Sequence, residues 1–334
     1  MEGLSHGGAL DRAIAQHGGC RADWLDLSTG INPVPYPVPD IPTDVWHRLP
    51  DEGLVSECLA AARDFYRVPK NAGILAAPGT QAIIQWLPLL FNYLDDVCVV
   101  SPAYGEYARV FRNAGAHVTA LGEMPGPEHT GGLLIFGQPN NPDGRQWPAE
   151  QASALSRNGF RMVVADEAFC DITPAHSLVP YSGKPGLLVL RSFGKFFGLA
   201  GMRLGFAIGD PDVIESLGLM LGPWAAPGPA LHLATMAFRD GQWIDNTRAR
   251  LGADRERLAT IVQKSGMAVV GGTDLFVLAN HDKASSIAGW LAEKHILVRS
   301  FEYNATWLRF GLPGSEDGFV RLESALAELA LRTQ

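Results

Sequence analysis

Six short apolar runs lie within the first 190 residues, at 73–77, 97–100, 117–121, 133–136, 161–165 and 187–190. Each is a continuous run of four or five residues, which reads as a strand buried on both faces. Stretches of helical spacing, such as 54–66, lie between them. Strands alternating with helices predict an α/β fold whose sheet is mostly parallel, with right-handed crossovers. The texture changes after Gly209. Helical patterns reach about residue 265, and short strands at 267–270, 275–279, 296–299 and 306–310 flank a helix over 283–294 and precede a last helix. That pattern predicts a smaller α+β domain. The proline-rich run 33–42 reads as a linker. The expected division is therefore an N-terminal arm (1–40), a large α/β domain (41–222) and a small domain (223–334).

Composition narrows the class of partner. The 334 residues are 47% hydrophobic and 19% charged, with a net charge of -8, which fits a soluble enzyme-sized protein with ample core. The acidic balance argues against a nucleic-acid or membrane surface role. No leader-like segment and no run of about 18 apolar residues is present, so a cytoplasmic protein is expected. Cys20, Cys58, Cys98 and Cys170 form no C-x-x-C pair; they are expected to be free buried thiols, with no metal site and no disulfide frame.

In open α/β sheets ligands gather at the carboxyl ends of the strands, and those ends carry the chemistry here. After the run 187–190 come Ser192, Lys195 and Arg203 among glycines and aromatics, and Lys195 is the only charge between Arg191 and Arg203. A poorly solvated amine has a lowered pKa and attacks aldehydes well. After 73–77 come Gly79, Thr80 and Gln81, running straight into a helix; they read equally as a phosphate seat or as a simple helix cap. Tyr104 comes after 97–100, placed to stack on a planar ring or to fill core, and Asn141 lies in the turn-rich loop after 133–136. Asp166 and Glu167 end the run 161–165 as an acid pair. In the small domain Arg309 interrupts an apolar strand, a position that asks for an anion. Near the N-terminus, His6, Gly7 and Gly8 read as a flexible end or as a backbone cradle for an anion.

These pieces suit one cofactor. Pyridoxal 5'-phosphate needs an amine for its aldehyde, a carboxylate for its ring nitrogen, a donor for its phenolic oxygen and donors for its phosphate. In content and spacing, the set Asn141-Pro142-Asp143-Gly144, Asp166-Glu167-Ala168-Phe169 and Ser192-Phe193-Gly194-Lys195 with Arg203 resembles the aspartate-aminotransferase superfamily of fold type I pyridoxal-phosphate enzymes. The resemblance covers nearly the whole chain and implies a fold type I transferase with a seven-stranded-type sheet. It also implies a homodimer with active sites at the subunit interface. By resemblance, Lys195 binds the cofactor's aldehyde and later moves protons, Asp166 pairs with the ring nitrogen, Asn141 bonds the phenolic oxygen and Tyr104 stacks on the ring. Gly79, Thr80, Gln81, Ser192 and Arg203 hold the phosphate, and Arg309 grips the substrate carboxylate.

Within that superfamily the chain resembles the threonine-phosphate decarboxylases of cobalamin biosynthesis, and next the histidinol-phosphate aminotransferases. The first resemblance rests on His6-Gly7-Gly8, Thr29-Gly30-Ile31-Asn32-Pro33, Asp166-Glu167-Ala168-Phe169 and Pro223-Trp224-Ala225. It implies decarboxylation of L-threonine O-3-phosphate to (R)-1-aminopropan-2-ol O-phosphate and carbon dioxide. The rivals are an aminotransferase of the histidinol-phosphate type and a non-catalytic scaffold of the same fold. A bond at the substrate's α carbon breaks when it stands perpendicular to the cofactor ring. A decarboxylase must therefore turn the carboxylate out of the ring plane, and the substrate's own phosphate is a handle for doing so. His6, Gly7, Gly8 and Asn32 are the expected handle. Two departures from the superfamily stand out: Phe169 occupies a position where many relatives have Tyr, and Arg48-Leu49-Pro50 replaces an Arg-Tyr-Pro whose Tyr reaches the partner's cofactor.

Overall fold

A computed structural model describes residues 7–92, 96–126 and 128–332. The chain divides into two compact units, Pro35–Ile244 and a second made of Met1–Val34 with Asp245–Gln334. In chain order, helix α1 (Leu10–His17) and strand β1 (Leu25–Asp26) open the second unit. The first unit then carries α2 (Thr43–His47), α3 (Glu52–Tyr66), β2 (Gly73–Ala77), α4 (Thr80–Phe91), β3 (Val97–Val100), α5 (Glu106–Asn113), β4 (Val118–Leu121) and β5 (Gly131–Gly137). It continues with α6 (Ala149–Asn158), β6 (Phe160–Asp166), β7 (Leu187–Ser192), α7 (Phe193–Phe196), β8 (Gly205–Gly209), α8 (Pro211–Leu221) and α9 (Gly228–Arg239). The boundary between the units falls inside α10 (Gly241–Lys264). After it come β9 (Ala268–Thr273), β10 (Phe276–Asn280), α11 (Ala284–Glu293), β11 (Ile296–Leu297), β12 (Arg299–Phe301), β13 (Asn304–Gly311) and α12 (Glu316–Arg332).

The unit 35–244 is built on a seven-stranded sheet in the order β2-β8-β7-β6-β5-β3-β4. Each of the six apolar runs is one of its strands. The seventh, β8, pairs antiparallel with both β2 and β7, and the remaining pairs are parallel. Strand β8 is absent from the six expected runs because its five residues are bounded by glycines at both ends. This one reversed strand matters for the site. Gly205, the first residue of β8, lies in register with Ala77 at the end of β2 and with Ser192 at the end of β7. The segment leading into β8 therefore meets the segments leaving β2 and β7 at a single edge of the sheet.

Burial explains why these runs are strands. Every residue of β3 is buried, and β5 and β6 are buried at all but one residue each. One core cluster joins Ile83, Ile84 and Leu87 of α4 to Leu133, Ile135, Val164, Leu188 and Leu190 of the sheet. On another side, α3 packs along α9, and Phe65 stacks on Phe238 with ring centroids 5.0 Å apart. That packing keeps α9 with the sheet unit, so the observed breaks fall at residues 34 and 244 beside the expected 40 and 222. Helix α3 starts two residues before the expected 54 because Asp51 caps it, accepting from Leu54 N at 2.8 Å.

The second unit holds a four-stranded antiparallel sheet, β12-β13-β10-β9, and a two-stranded parallel pairing of β1 with β11. Leu10 and Ala13 of α1 pack with Trp24 and Ala292. The four cysteines are free; Cys58, Cys98 and Cys170 are buried. Cys20 departs from the expectation: it is exposed, in the turn before the 3-10 segment Arg21–Asp23, where its N–H donates to Asp23 Oδ2 at 2.7 Å. Among the described residues no helix is long and apolar enough to cross a membrane.

Candidate active site

The carboxyl edge of the seven-stranded sheet closes around a cavity of about 180 Å³. Its lining includes Gly79, Thr80, Gln81, Tyr104, Asn141, Asp166, Ser192, Lys195 and Arg203, the nine residues singled out in this part of the sequence. The loops that deliver them come after β2, β3, β5, β6 and β7 and before β8.

Lys195 is placed by its aromatic neighbours. Phe193, Phe196 and Phe197 are at most 1% exposed; Phe197 stacks on Phe193 and on Trp243, and Phe238 meets Phe193 edge to face, in one aromatic cluster. Burying three phenyl rings on one side of this short helix contributes several kcal/mol, about 1.5–3 for each ring, and turns Lys195 to the other side. There its Nζ lies 5.7 Å from the Phe169 ring centroid.

Asp166 is the last residue of β6, in register with Gly137 of β5 and Leu190 of β7. Its Oδ2 accepts from the Tyr107 phenol at 2.7 Å and its Oδ1 from Ala168 N at 3.0 Å. Burial pushes this carboxyl above the usual range, opposed by those two hydrogen bonds and by the Lys195 charge. The adjacent acid has a different fate. Glu167 points away from the cavity and accepts from Ser177 Oγ at 2.6 Å and from Arg191 Nη1 at 2.5 Å. Arg191 also bonds Asp171 and lies over the Tyr66 ring at 4.4 Å. Of the acid pair, Asp166 alone lines the cavity.

Thr80 is the first residue of α4, and the cap position is held by Gly79 at φ 84°. The cap reading of Thr80 therefore fails, since a glycine has no side chain to cap with. Conformation favours glycine at 79, and lack of space requires it at Gly205. A Cβ on Gly79 would lie 2.7 Å from Arg203 Nη2, and one on Gly205 would lie 2.6 Å from Thr80 N. The start of α4, Ser192 and Arg203 thus line the same cavity. Gln81 contributes differently from expectation. Its Oε1 accepts from Tyr104 Oη at 2.9 Å and its Nε2 donates to Glu106 at 2.9 Å, so its side chain is committed to neighbours. Tyr104 meets Tyr107 edge to face, 5.6 Å between centroids. Burial, then the Glu106 and Asp166 charges, pushes the Tyr104 phenol up to about 12, so it is a neutral ring at physiological pH.

Tyr107 is a lining residue that sequence reasoning missed. The available signal was its spacing: it lies in the first turn of α5, three residues after Tyr104, which precedes the helix and accepts from Tyr107 N at 3.2 Å. The loop bearing Asn141 is held from both sides. Gln138 Nε2 donates to Trp147 O at 2.8 Å and His176 O at 3.0 Å, while Arg145 bonds Asp143 at 2.8 Å and Ser101 O at 2.9 Å.

The remaining candidates lie in the second unit. Arg309 of β13 is 6% exposed, and its Nη2 donates to Ser28 O at 2.8 Å. Gly8 N donates to Ser28 Oγ at 2.7 Å, and Gly7 abuts the same residue, since a Cβ there would lie 2.4 Å from Ser28 O. Gly7, Gly8 and Arg309 are thus tied together through Ser28. Asn32 is engaged elsewhere, its Oδ1 accepting from Arg250 Nη2 at 2.7 Å. Arg299 of β12, unremarked in the sequence, pairs with Arg309 across the ladder. Burial, then Arg299, lowers the Arg309 guanidinium to about 10. One buried and one half-buried arginine on paired strands favour an anion beside them. His6 lies outside the described residues.

The sequence matches the profile of the family described as aminotransferase class I and II over residues 43–322. The chain belongs to that family. Among curated relatives, a threonine-phosphate decarboxylase of Sinorhizobium sp is 43% identical over 335 residues, covering 98% of this chain and 99% of the relative. A threonine-phosphate decarboxylase of Pseudomonas aeruginosa is 43% identical over 331 residues, covering 97% of each. The histidinol-phosphate aminotransferase of Sinorhizobium meliloti, solved in complex with pyridoxal-5'-phosphate, superposes with a TM-score of 0.82 over 100% of both chains at 18% identity. That likeness shows the class I and II fold, with its central, mostly parallel sheet.

Proposed function

We propose that the chain is a pyridoxal-phosphate-dependent carboxy-lyase of cobalamin biosynthesis that converts L-threonine O-3-phosphate into carbon dioxide and (R)-1-aminopropan-2-ol O-phosphate, acting in the cytoplasm as a homodimer. The observation that carries the reaction is the 43% identity, over nearly the whole length, to two threonine-phosphate decarboxylases. The cavity supports the cofactor. Its donor set is an amine, a buried carboxylate and a helix start with a hydroxyl and a guanidinium, where Gly205 leaves no room for a Cβ against Thr80 N, and this set fits a phosphorylated pyridine aldehyde.

In this reading Lys195 would hold the cofactor covalently, Asp166 its ring nitrogen, and Asn141 its phenolic oxygen, with Tyr104 against its face. Thr80, Ser192, Arg203 and the backbone of Gly79 and Gln81 would hold its phosphate. Bound there, pyridoxal phosphate supplies an electron-poor ring that takes up the electron pair released when the carbon–carbon bond to the carboxylate breaks. The protein's part is to keep that ring poor in electrons and to manage one proton. Asp166, as a carboxylate held by the Tyr107 phenol and Ala168 N, favours a protonated ring nitrogen. Lys195 Nζ returns a proton to the α carbon that carbon dioxide has left, balancing the reaction. Arg309 orients the substrate carboxylate as a guanidinium fork. His6, Gly7, Gly8 and Asn32 receive its phosphate.

The test follows, with no keto acid added, carbon dioxide release from phosphothreonine and phosphoserine, and loss of the bound cofactor's yellow chromophore with these two and with histidinol phosphate, which has no carboxylate to lose. Sustained release over many turnovers from phosphothreonine is expected. Arrest after a half-reaction assigns an aminotransferase instead, and no reaction with any substrate assigns a non-catalytic scaffold.

A further inference from the structure

The charge that the cavity most needs to control is the Asp166 carboxylate, which is 6% exposed at the end of a fully paired strand. A buried carboxylate is stable as an anion only where hydrogen bonds or opposite charge replace water. The groups facing it are few: the Tyr107 phenol and Tyr104 from the α5 side, Ala168 N from its own loop and the Lys195 amine from α7. Tyr107 is 4% exposed and joins the core cluster with Val110 and Phe111 of the same helix. Its ring is fixed by packing, and its one polar atom meets Oδ2 at 2.7 Å.

We propose that Tyr107 is a positioning residue that acts through Asp166, its phenolic O–H holding the carboxylate ionised and in one orientation toward the bound ring nitrogen. This rests on the cofactor reading given above. The phenol is suited to the task because burial and the neighbouring Asp166 keep it protonated far above neutral pH, so it is a permanent donor. Without it the carboxylate becomes more basic. The shared proton then moves from the ring nitrogen toward Asp166, and the ring loses positive charge.

Tyr107→Phe keeps the ring and its packing and deletes the donor. The experiment measures pyridoxal-phosphate affinity and the pH midpoint of the bound cofactor's yellow chromophore in wild type, Y107F, D166N and the double variant, with thermal unfolding alongside. A hydrogen bond to a charged group is worth roughly ten- to a hundredfold, so Y107F is expected to bind the cofactor at least about tenfold more weakly and to shift the chromophore midpoint upward. In the D166N background the same change is expected to do nothing further, since the charge it serves is gone. A wild-type midpoint and affinity in Y107F, or additive effects in the double variant, overturns the proposal while leaving the cofactor assignment intact. A wild type that binds no pyridoxal phosphate overturns both. Should Y107F alone fail to fold, the double variant decides: behaviour like D166N supports the proposal, and failure like Y107F overturns it.

Discussion

Asp166 and Glu167 are neighbours in sequence, yet they sit in opposite kinds of surroundings. Burial pushes both carboxyls up. The influence opposing it differs. For Glu167 the first opposing influence is the full positive charge of Arg191, backed by Ser177 and Leu178. For Asp166 it is the hydrogen bond from the uncharged Tyr107 phenol, with Ala168 next and the Lys195 charge last. The cluster of Glu167, Arg191 and Asp171 pairs both acids with one guanidinium and is sealed, each side chain at most 3% exposed. The cavity side leaves the Asp166 charge largely unbalanced and open to a ligand. The difference separates a buried charge group that holds the chain in place from one that is kept for chemistry.

Lys195→Ala sharpens the contrast most. Turnover is expected to fall by about a thousandfold or more, and borohydride should no longer trap a yellow cofactor at this position, while the unfolding midpoint stays close to that of wild type. On the sealed side, Arg191→Met leaves two buried acids without their cation. It is expected to cost about 3–5 kcal/mol in denaturant unfolding, with the chromophore's pH midpoint unchanged in whatever folds. Asp166→Asn should do the reverse, lowering turnover about a hundredfold with stability equal to or above wild type.

The pH dependence carries the same sign. The folded pKa of Asp166 is raised above its unfolded value, so the native apoprotein binds its proton more tightly. The stability of wild type relative to D166N should therefore fall as pH rises above the ordinary carboxylate range, then level off beyond the folded pKa. A wild type that gains on D166N with rising pH breaks the comparison. In the second unit, Arg309→Lys and Asn32→Ala test substrate grip, with thermal unfolding alongside because each side chain also bonds within the unit. Each is expected to raise KM for phosphothreonine about tenfold, with cofactor absorbance unchanged.

Much of the cavity was legible because its residues are local to strand ends. An apolar run followed by a glycine, hydroxyl or lone charge marks both the strand and the site in one short stretch, so the nine cavity candidates could be named from motifs. The features that escaped depend on distance along the chain. The Tyr107–Asp166 bond joins residues 59 apart, and no local pattern announces it. The commitment of Gln81 to Tyr104 and Glu106 spans 23 and 25 residues, so the side chain reads as a phosphate donor until its partners are seen. The pairing of Arg299 with Arg309 depends on a hairpin register that shifts between Ser300 and Phe301.

By itself the sequence determined the alternation of strand and helix, the candidate residues at each strand end and the family, because hydrophobic period and short motifs are properties of neighbouring residues. The tertiary structure decided which of two adjacent acids faces the cavity, that a reversed β8 carries Arg203 to the same edge as Thr80 and Lys195, and which donor stands behind Asp166. Those outcomes come from side-chain alternation on a strand and from sheet order. Both are settled only when distant segments pack against one another and each buried charge must find its partner.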